Sequence, residues 1–273
     1  TYPGGCIMSA TSLPLSSNLA SDTTVPLGRL LWAYYVEAKY EFVRMLRTPA
    51  FSIPFLTLPV LLLLLFGVLL FGSAIRGNQD AGKFLFTGFS ILGMMGPGMF
   101  GFGMGVAIER EQGLLKLKRA LPMPPAAYLL AKMFMSMLCG VIVMATMVAA
   151  GLTLVHISLS FVQVLKVVTA CIIGTLPFSA IGLFIGVWTT GRSASAFVNL
   201  TYQIMMHLSG LFYPLPKFMQ TIAPMWPTYH LQQLVMNILG APSRGSTMGH
   251  VAALTGVTVV LTLLALRRLK RNG

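Results

Sequence analysis

Positions 48–75, "TPAFSIPFLTLPVLLLLLFGVLLFGSAI", contain no Asp, Glu, Lys or Arg. A helix needs about 20 mostly apolar residues to cross roughly 30 Å of hydrocarbon, and this stretch is long enough to do so. The whole chain is similar in character, with 56% hydrophobic and 9% charged residues, whereas a typical soluble domain has roughly 25% charged residues. The sequence therefore predicts an all-α integral membrane protein.

Several further stretches lack Asp, Glu, Lys and Arg over a comparable length. The stretch 218–243 is excluded as a span because Pro224 and Pro227 interrupt it. The remaining stretches predict six transmembrane helices, at about 51–73, 84–107, 133–155, 167–188, 195–214 and 249–266.

The basic residues predict the orientation of these helices. With both termini in the cytoplasm, fourteen of the nineteen Lys and Arg residues fall on the inner side, as the positive-inside rule requires. The net charge of +13 is therefore assigned to membrane topology, and nucleic-acid binding is not expected. Residues 1–27 are polar, lack the apolar core of a signal peptide and are predicted to be a disordered tail.

The segment before the first span, residues 28–47, has the spacing of an amphipathic helix. Such a helix lies flat at the inner membrane surface, either as a functional interfacial element or simply as an anchor. Its apolar face is predicted to hold Leu31, Tyr34, Tyr35, Ala38, Phe42, Met45 and Leu46.

The letters "GPGMFG" at 96–101 match the G-x-G-x-x-G pattern of dinucleotide-binding loops. That pattern requires a strand before it and a soluble βαβ unit around it, and here it lies inside an uncharged stretch. We interpret Gly93, Gly96, Gly98 and Gly103 as sites of close helix packing instead. The four histidines have no metal-ligand spacing and no carboxylate falls inside a predicted span, so neither a catalytic site nor a cofactor is expected in this chain.

Charge is concentrated in "EREQGLLKLKRALPMPPAAYLLAK", residues 109–132. Leu114, Leu117 and Leu121 share one face of a predicted short helix that basic residues surround and that "PMPP" ends. Such a helix suits insertion into the groove of a partner protein, or attachment to anionic lipid.

The same stretch resembles the first cytoplasmic loop of ABC-2-type transporter permeases. The shared features are the acidic pair, a glycine, a Leu-rich helix, a proline turn and an Ala-Lys entry to the third span. The resemblance covers roughly residues 28–270 and implies a transmembrane domain over 28–273. It implies that the loop is a coupling helix seated in an ATPase subunit, formed by Glu109, Arg110, Glu111, Gly113, Leu114, Leu117, Lys118 and Leu121.

The stretch "SGLFYPLPKFMQTIAPMWPTYHLQQLV", residues 209–235, resembles a second element of this family, the re-entrant outer hairpin. Prolines prevent a continuous helix there, while aromatic residues hold the pieces near the interface. An ordinary Pro-rich surface loop is the alternative. The hairpin residues are Pro214, Pro216, Trp226, Pro227 and Tyr229.

Asn199, Gln203 and His207 recur every four residues and form a polar stripe on the fifth predicted span. In a lipid environment such side chains face protein or water, either as contacts between helices or as the lining of a path. In ABC-2 permeases the second and fifth spans of two protomers surround the translocation path. The resemblance thus places the stripe, together with Met99 and Phe102, along that path.

The resemblance implies the permease subunit of an exporter in the inner membrane, paired with a second permease copy and with ATPase subunits that bind ATP and Mg²⁺. The apolar second span suits an amphiphilic, drug-like or lipid-like substrate. A secondary transporter or channel without an ATPase is the main alternative. An intramembrane enzyme and a scaffold that only recruits an ATPase are two further ones.

Overall fold

The computed structural model describes residues 28, 32, 35–36, 38–40, 42–43, 47–114, 125–213 and 215–272. All regular structure in these ranges is helical, which confirms the all-α prediction there. The α-helices are Pro49–Leu64, Gly72–Gly77, Gln79–Gly96, Gly105–Glu111, Pro125–Thr153, Phe161–Ile173, Thr175–Trp188, Gly191–Leu208, Pro227–Ile238 and Thr247–Asn272. Two π-helical segments, Leu65–Leu70 and Pro97–Met104, and two 3₁₀ turns, Met219–Thr221 and Ala223–Met225, complete the elements.

Five stretches of helix are long and apolar enough to cross a membrane. In chain order we name them the first, second, third, fourth and final spans. They are Ile53–Leu70, Gln79–Glu111, Leu129–Thr153, Phe161–Trp188 and Thr247–Leu269. Each overlaps one of the predicted spans, so the chain is a multi-pass membrane protein.

The fifth predicted span, 195–214, corresponds to a helix that is not among these five. This helix, Gly191–Leu208, carries the polar stripe and is named the stripe helix. The predicted end at 214 is wrong, because the backbone turns at Gly210, whose φ is +78°. Beyond that turn the carbonyl of Leu211 lies directly against Gly88, where a Cβ atom would overlap it.

The second span extends beyond its predicted end at 107 and continues to Glu111. Its middle is π-helical from Pro97 to Met104. Proline has no N–H to donate to the preceding turn, which loosens the regular hydrogen-bond ladder at this point. The extension places Glu109 inside a span, contrary to the expectation that no carboxylate would lie there; its burial beside Lys132 explains how the helix can accommodate it.

The second and fourth spans cross at glycines. A Cβ atom on Gly103 would overlap the carbonyl of Gly182, and one on Gly186 would overlap the carbonyl of Gly103. Gly98 packs against the backbone of Ser179, and a Cβ atom on Gly98 would lie 3.0 Å from the Ser179 nitrogen. The "GPGMFG" stretch is therefore part of a packed helix crossing, as its membrane context predicted.

Contacts between helix ends define two sides of the bundle. Glu109, Lys132 and Gly191 lie together on the side that we name the basic side. The C-terminal part of the final span reaches the same side, where the guanidinium of Arg268 lies 4.5 Å from the ring centroid of Trp188. The opposite side, which carries the helix Pro227–Ile238, is named the hairpin side.

The predicted amphipathic helix before the first span is described only in part. Ala38 is buried and Phe42 packs against Met135 and Cys139 of the third span, as an inward face would. Tyr35 is 58% exposed, so it does not belong to that buried face. The tail 1–27 and Leu31, Tyr34, Met45 and Leu46 lie outside the described residues.

Candidate functional site

A buried ion pair joins the second and third spans on the basic side. The Lys132 ammonium lies 3.1 Å from a carboxylate oxygen of Glu109, and both side chains are only 1% exposed. The carboxylate and the ammonium offset each other's charge where water is excluded. The resemblance implies Lys132 only as the entry to the third span, and the one indication of this pair in the sequence is a lysine at the start of an apolar helix.

Arg110 joins the second span to the end of the fourth. Its guanidinium donates to the carbonyl oxygens of Val187 and of Thr189, the latter at 2.5 Å. The last carbonyls of a helix have no hydrogen-bond partner within the helix, and the guanidinium supplies one. Its positive charge also interacts favourably with the negative end of the helix dipole.

Glu111 joins the second span to the start of the stripe helix. Its carboxylate lies against Gly191, so closely that a Cβ atom there would overlap an oxygen. A negative charge is favourable at this position because the N-terminus of a helix carries a partial positive charge. We name Glu109, Arg110 and Glu111 the basic junction; through it one short segment is tied to three neighbouring helices.

The remaining predicted coupling residues follow the basic junction. Gly113 has a φ of +73°, the left-handed conformation that ends a helix without a side-chain penalty. Leu114 is half-buried. Leu117, Lys118 and Leu121 lie outside the described residues, so the predicted coupling helix itself stays a prediction.

The polar stripe lies on the outer surface of the chain. Asn199, Gln203 and His207 are all exposed. In the described part of the chain, the side-chain amides of Asn199 and Gln203 have no hydrogen-bond partner, while His207 Nδ1 lies 2.9 Å from the Gln203 carbonyl oxygen. Met99 and Phe102 are instead buried within the chain, in contact with neighbouring spans. Their assignment to a path stays a prediction.

A cavity of about 520 Å³ lies between the first span, the second span and the stripe helix, towards the hairpin side. Its lining contains no charged residue, and we name it the aromatic cavity. It is lined by Leu58, Leu62, Phe66, Phe71, Leu85, Phe89, Leu92, Tyr202, Gln203, Met206, Phe212 and Tyr213. Gln203 thus belongs both to the polar stripe and to the cavity wall, which sequence spacing did not indicate.

The predicted hairpin is divided into short pieces, as its prolines require. Pro216 is exposed and its carbonyl accepts the N–H of Met219, while Pro227 is buried in the first turn of Pro227–Ile238. Trp226 and Tyr229 are half-buried. Pro214 lies outside the described residues.

Two histidines that sequence reasoning left unassigned meet on the hairpin side. His230 Nδ1 lies 2.9 Å from His250 Nδ1, and the two Nε2 atoms lie 2.8 Å and 2.7 Å from the carbonyls of Pro224 and Arg244. Burial lowers the pKa of His230; the hydrogen bond to Pro224 opposes that shift, and His250 adds to it. The pair connects the helix Pro227–Ile238 to the start of the final span.

Comparison with known proteins gives two matches. Residues 33–239 match the family described as "ABC-2 type transporter". The chain is also similar to the Bacillus subtilis (strain 168) protein named "Putative transport permease YvfS", with 27% identity over 144 residues. That alignment covers 52% of this chain and 59% of the relative, so the matched region spans about three fifths of the relative's length.

Proposed function

The chain belongs to the ABC-2 type transporter family, and from that premise we propose that it is the permease subunit of an ATP-driven exporter. A separate ATPase chain would bind ATP and Mg²⁺ and hydrolyse the nucleotide. This chain would convert the movement of that ATPase into movement of a substrate across the membrane.

The basic junction is the observation that carries the proposal. Residues 112–124 follow it directly, so a partner that moves this loop would pull on Glu109, Arg110 and Glu111. Through Lys132, the end of the fourth span and Gly191, the same pull would reach three further helices. In this arrangement the three charged residues act as a link inside the permease, while the loop beyond them provides the contact with the ATPase.

The exposed polar stripe supports the pairing of this chain with a second permease copy, either identical or related. Exposed amides at membrane depth require protein or water beside them. Its 18 residues span about 27 Å from the basic side towards the hairpin side, which supports a sixth crossing. Two stripe helices facing each other would enclose a polar path between the protomers.

The basic residues support the orientation of the complex. With the basic side in the cytoplasm of an inner membrane, the loop faces ATP and the hairpin side faces outward. ATP-driven closure of the ATPase subunits would favour one arrangement of the linked helices over another, because the ATPase contacts differ between the two states. The aromatic cavity and the adjoining stripe favour an amphiphilic substrate.

A secondary transporter remains the second candidate, and Glu109 is the observation that favours it. A carboxylate buried in a span is the type of group that binds coupling ions in such proteins. The ammonium of Lys132 at 3.1 Å already offsets its charge, which favours a structural link over an ion site.

Affinity purification of the chain from its native host in mild detergent, with mass spectrometry of the co-purifying proteins, tests the proposal. An ATP-binding protein is expected with the wild type and is expected to be lost with Leu117→Asp in the loop. Phe218→Asp, at a 72% exposed position on the hairpin side, is the matched control and is expected to retain it. Absence of an ATP-binding protein from a wild-type preparation that keeps the permease dimer would contradict the exporter function.

A further inference from the structure

We propose that the aromatic cavity binds the hydrocarbon chain of the exported amphiphile, and that Gln203 binds an uncharged polar group at the end of that chain. The identity of the ligand as cargo depends on the proposed function. The chemistry of the site depends only on the lining of the cavity.

The walls of the cavity determine what can occupy it. Four phenylalanines form a continuous wall, with centroid distances of 6.1 Å between Phe71 and Phe66, 5.7 Å between Phe66 and Phe89, and 5.1 Å between Phe89 and Phe212. A volume of about 520 Å³ lies within the range of small-molecule sites. Water is unfavourable in a cavity with so apolar a surface, and a charged ligand would find no counter-ion in the lining. A hydrocarbon chain fits both conditions.

The polar groups of the cavity determine where the head of the ligand lies. The hydroxyl of Tyr202 donates to the carbonyl of Leu92 at 3.4 Å, and that of Tyr213 donates to the carbonyl of His207 at 3.0 Å. Neither hydroxyl therefore has its hydrogen free for a ligand. The amide of Gln203 has no partner among the described residues and can both donate to and accept from a hydroxyl or amide head group.

The cavity and the stripe together explain why an amphiphile is the matching class. Gln203 lies on the cavity wall, and Asn199 and His207 lie one turn away on either side of it along the stripe helix. A molecule whose chain occupies the cavity would thus have its polar end beside a row of uncharged polar side chains. A purely apolar molecule would leave that row unused.

Photolabelling of the purified chain in lipid nanodiscs tests the site. The probe is a long-chain fatty alcohol with a diazirine in the middle of the chain, and the sites of insertion are mapped by mass spectrometry. We expect insertion into peptides containing Phe89 and Phe212 above that at the exposed Val259 and Val260 of the final span. Equal insertion at both places would overturn the proposal.

Substitutions at Leu62 and Gln203 test the binding of the hydrocarbon chain and of the head group separately. Leu62→Trp fills the cavity and is expected to abolish cavity labelling, whereas Leu61→Trp, at a neighbouring 53% exposed position, is expected to leave it unchanged. Gln203→Leu, at an exposed position, is expected to reduce labelling by the alcohol about fivefold, the effect of one hydrogen bond. It should not alter labelling by the corresponding diazirine alkane. Unchanged labelling by the alcohol in Gln203→Leu would overturn the head-group assignment.

A second experiment tests whether the hydrocarbon chain in the cavity belongs to exported cargo or to a resident membrane lipid. In the complex with its ATPase, trapping with ATP and vanadate is expected to reduce cavity labelling by an exported amphiphile. Unchanged labelling while ATP is hydrolysed would mean that a resident membrane lipid occupies the cavity, and would overturn the assignment to cargo. If no ATPase accompanies the chain, the exporter function fails, while the labelling in nanodiscs still reports on the site.

Discussion

At the scale of single residues, the Glu109–Lys132 pair carries the largest expected effect. Replacing one partner leaves the other charge buried without this counter-ion, at a cost of about 3–5 kcal/mol. We expect Glu109→Leu to lower the thermal unfolding midpoint in detergent strongly. The double variant Glu109→Leu/Lys132→Met is expected to recover much of the loss, because neither charge of the pair is then left buried without the other.

The double-mutant cycle distinguishes this pair from a surface ion pair. A surface pair would give a coupling of about 0–1 kcal/mol. If the two single substitutions prove additive in the double variant, Glu109 and Lys132 do not form the buried link on which the basic junction depends.

The histidine pair predicts a dependence of stability on pH. Burial lowers the pKa of His230 in the folded protein, so the folded state binds fewer protons than the unfolded state as the pH falls below about 6.5. The stabilisation is present above the ordinary histidine pKa and is lost as the pH falls through the lowered value.

Thermal unfolding measured as a function of pH checks this expectation. The unfolding midpoint of the wild type should fall on acidification, and the fall should be smaller in His230→Phe, which cannot take up the proton. The groups next to the pair are the Tyr229 ring and Arg244, whose guanidinium donates to Gln220. His156→Asn, at an exposed position remote in sequence from the pair, is the control. Identical pH profiles for His230→Phe and the wild type would contradict the prediction.

At the scale of helices, the glycine crossing between the second and fourth spans fixes their distance. Gly186→Ala places a methyl group on the Gly103 carbonyl, so the two helices must separate, and we expect a loss of about 1–3 kcal/mol. Gly256→Ala in the final span has open space around the new methyl and is expected to be neutral or slightly stabilising. Comparison of the two thermal midpoints checks the crossing; equal midpoints would contradict it.

The sequence predicts the positions of most of these helices because hydrocarbon thickness sets the length of an apolar run. The sequence does not predict that the second span continues to Glu111 or that the third span begins at Leu129. The cost of burying Glu109 in the second span is offset by Lys132 in the third, so neither helix shows this on its own. The glycines of the second span likewise indicate that Gly98 and Gly103 pack closely, without indicating that Gly182 and Gly186 are on the facing helix. Contacts between two helices depend on residues from both, so the hydrophobic pattern of one helix does not reveal them.

At the scale of the whole molecule, two features meet in the stripe helix. The basic junction holds its first residue, and the polar stripe and aromatic cavity lie further along it. The spacing of Asn199, Gln203 and His207 indicates a polar face in advance. The cavity beside it depends on the first span and on the turn at Gly210, so spacing alone does not reveal it.

Coupling of an ATPase to the stripe helix is tested by the rate at which a water-soluble maleimide labels Asn199→Cys in membranes that contain the complete complex. If an ATPase drives this permease through the basic junction, ATP with vanadate should change that rate, because the path beside the stripe helix opens or closes. Val260→Cys, exposed on the apolar final span, should stay unreactive in both states. A labelling rate at residue 199 that is the same with and without trapped nucleotide would contradict the account.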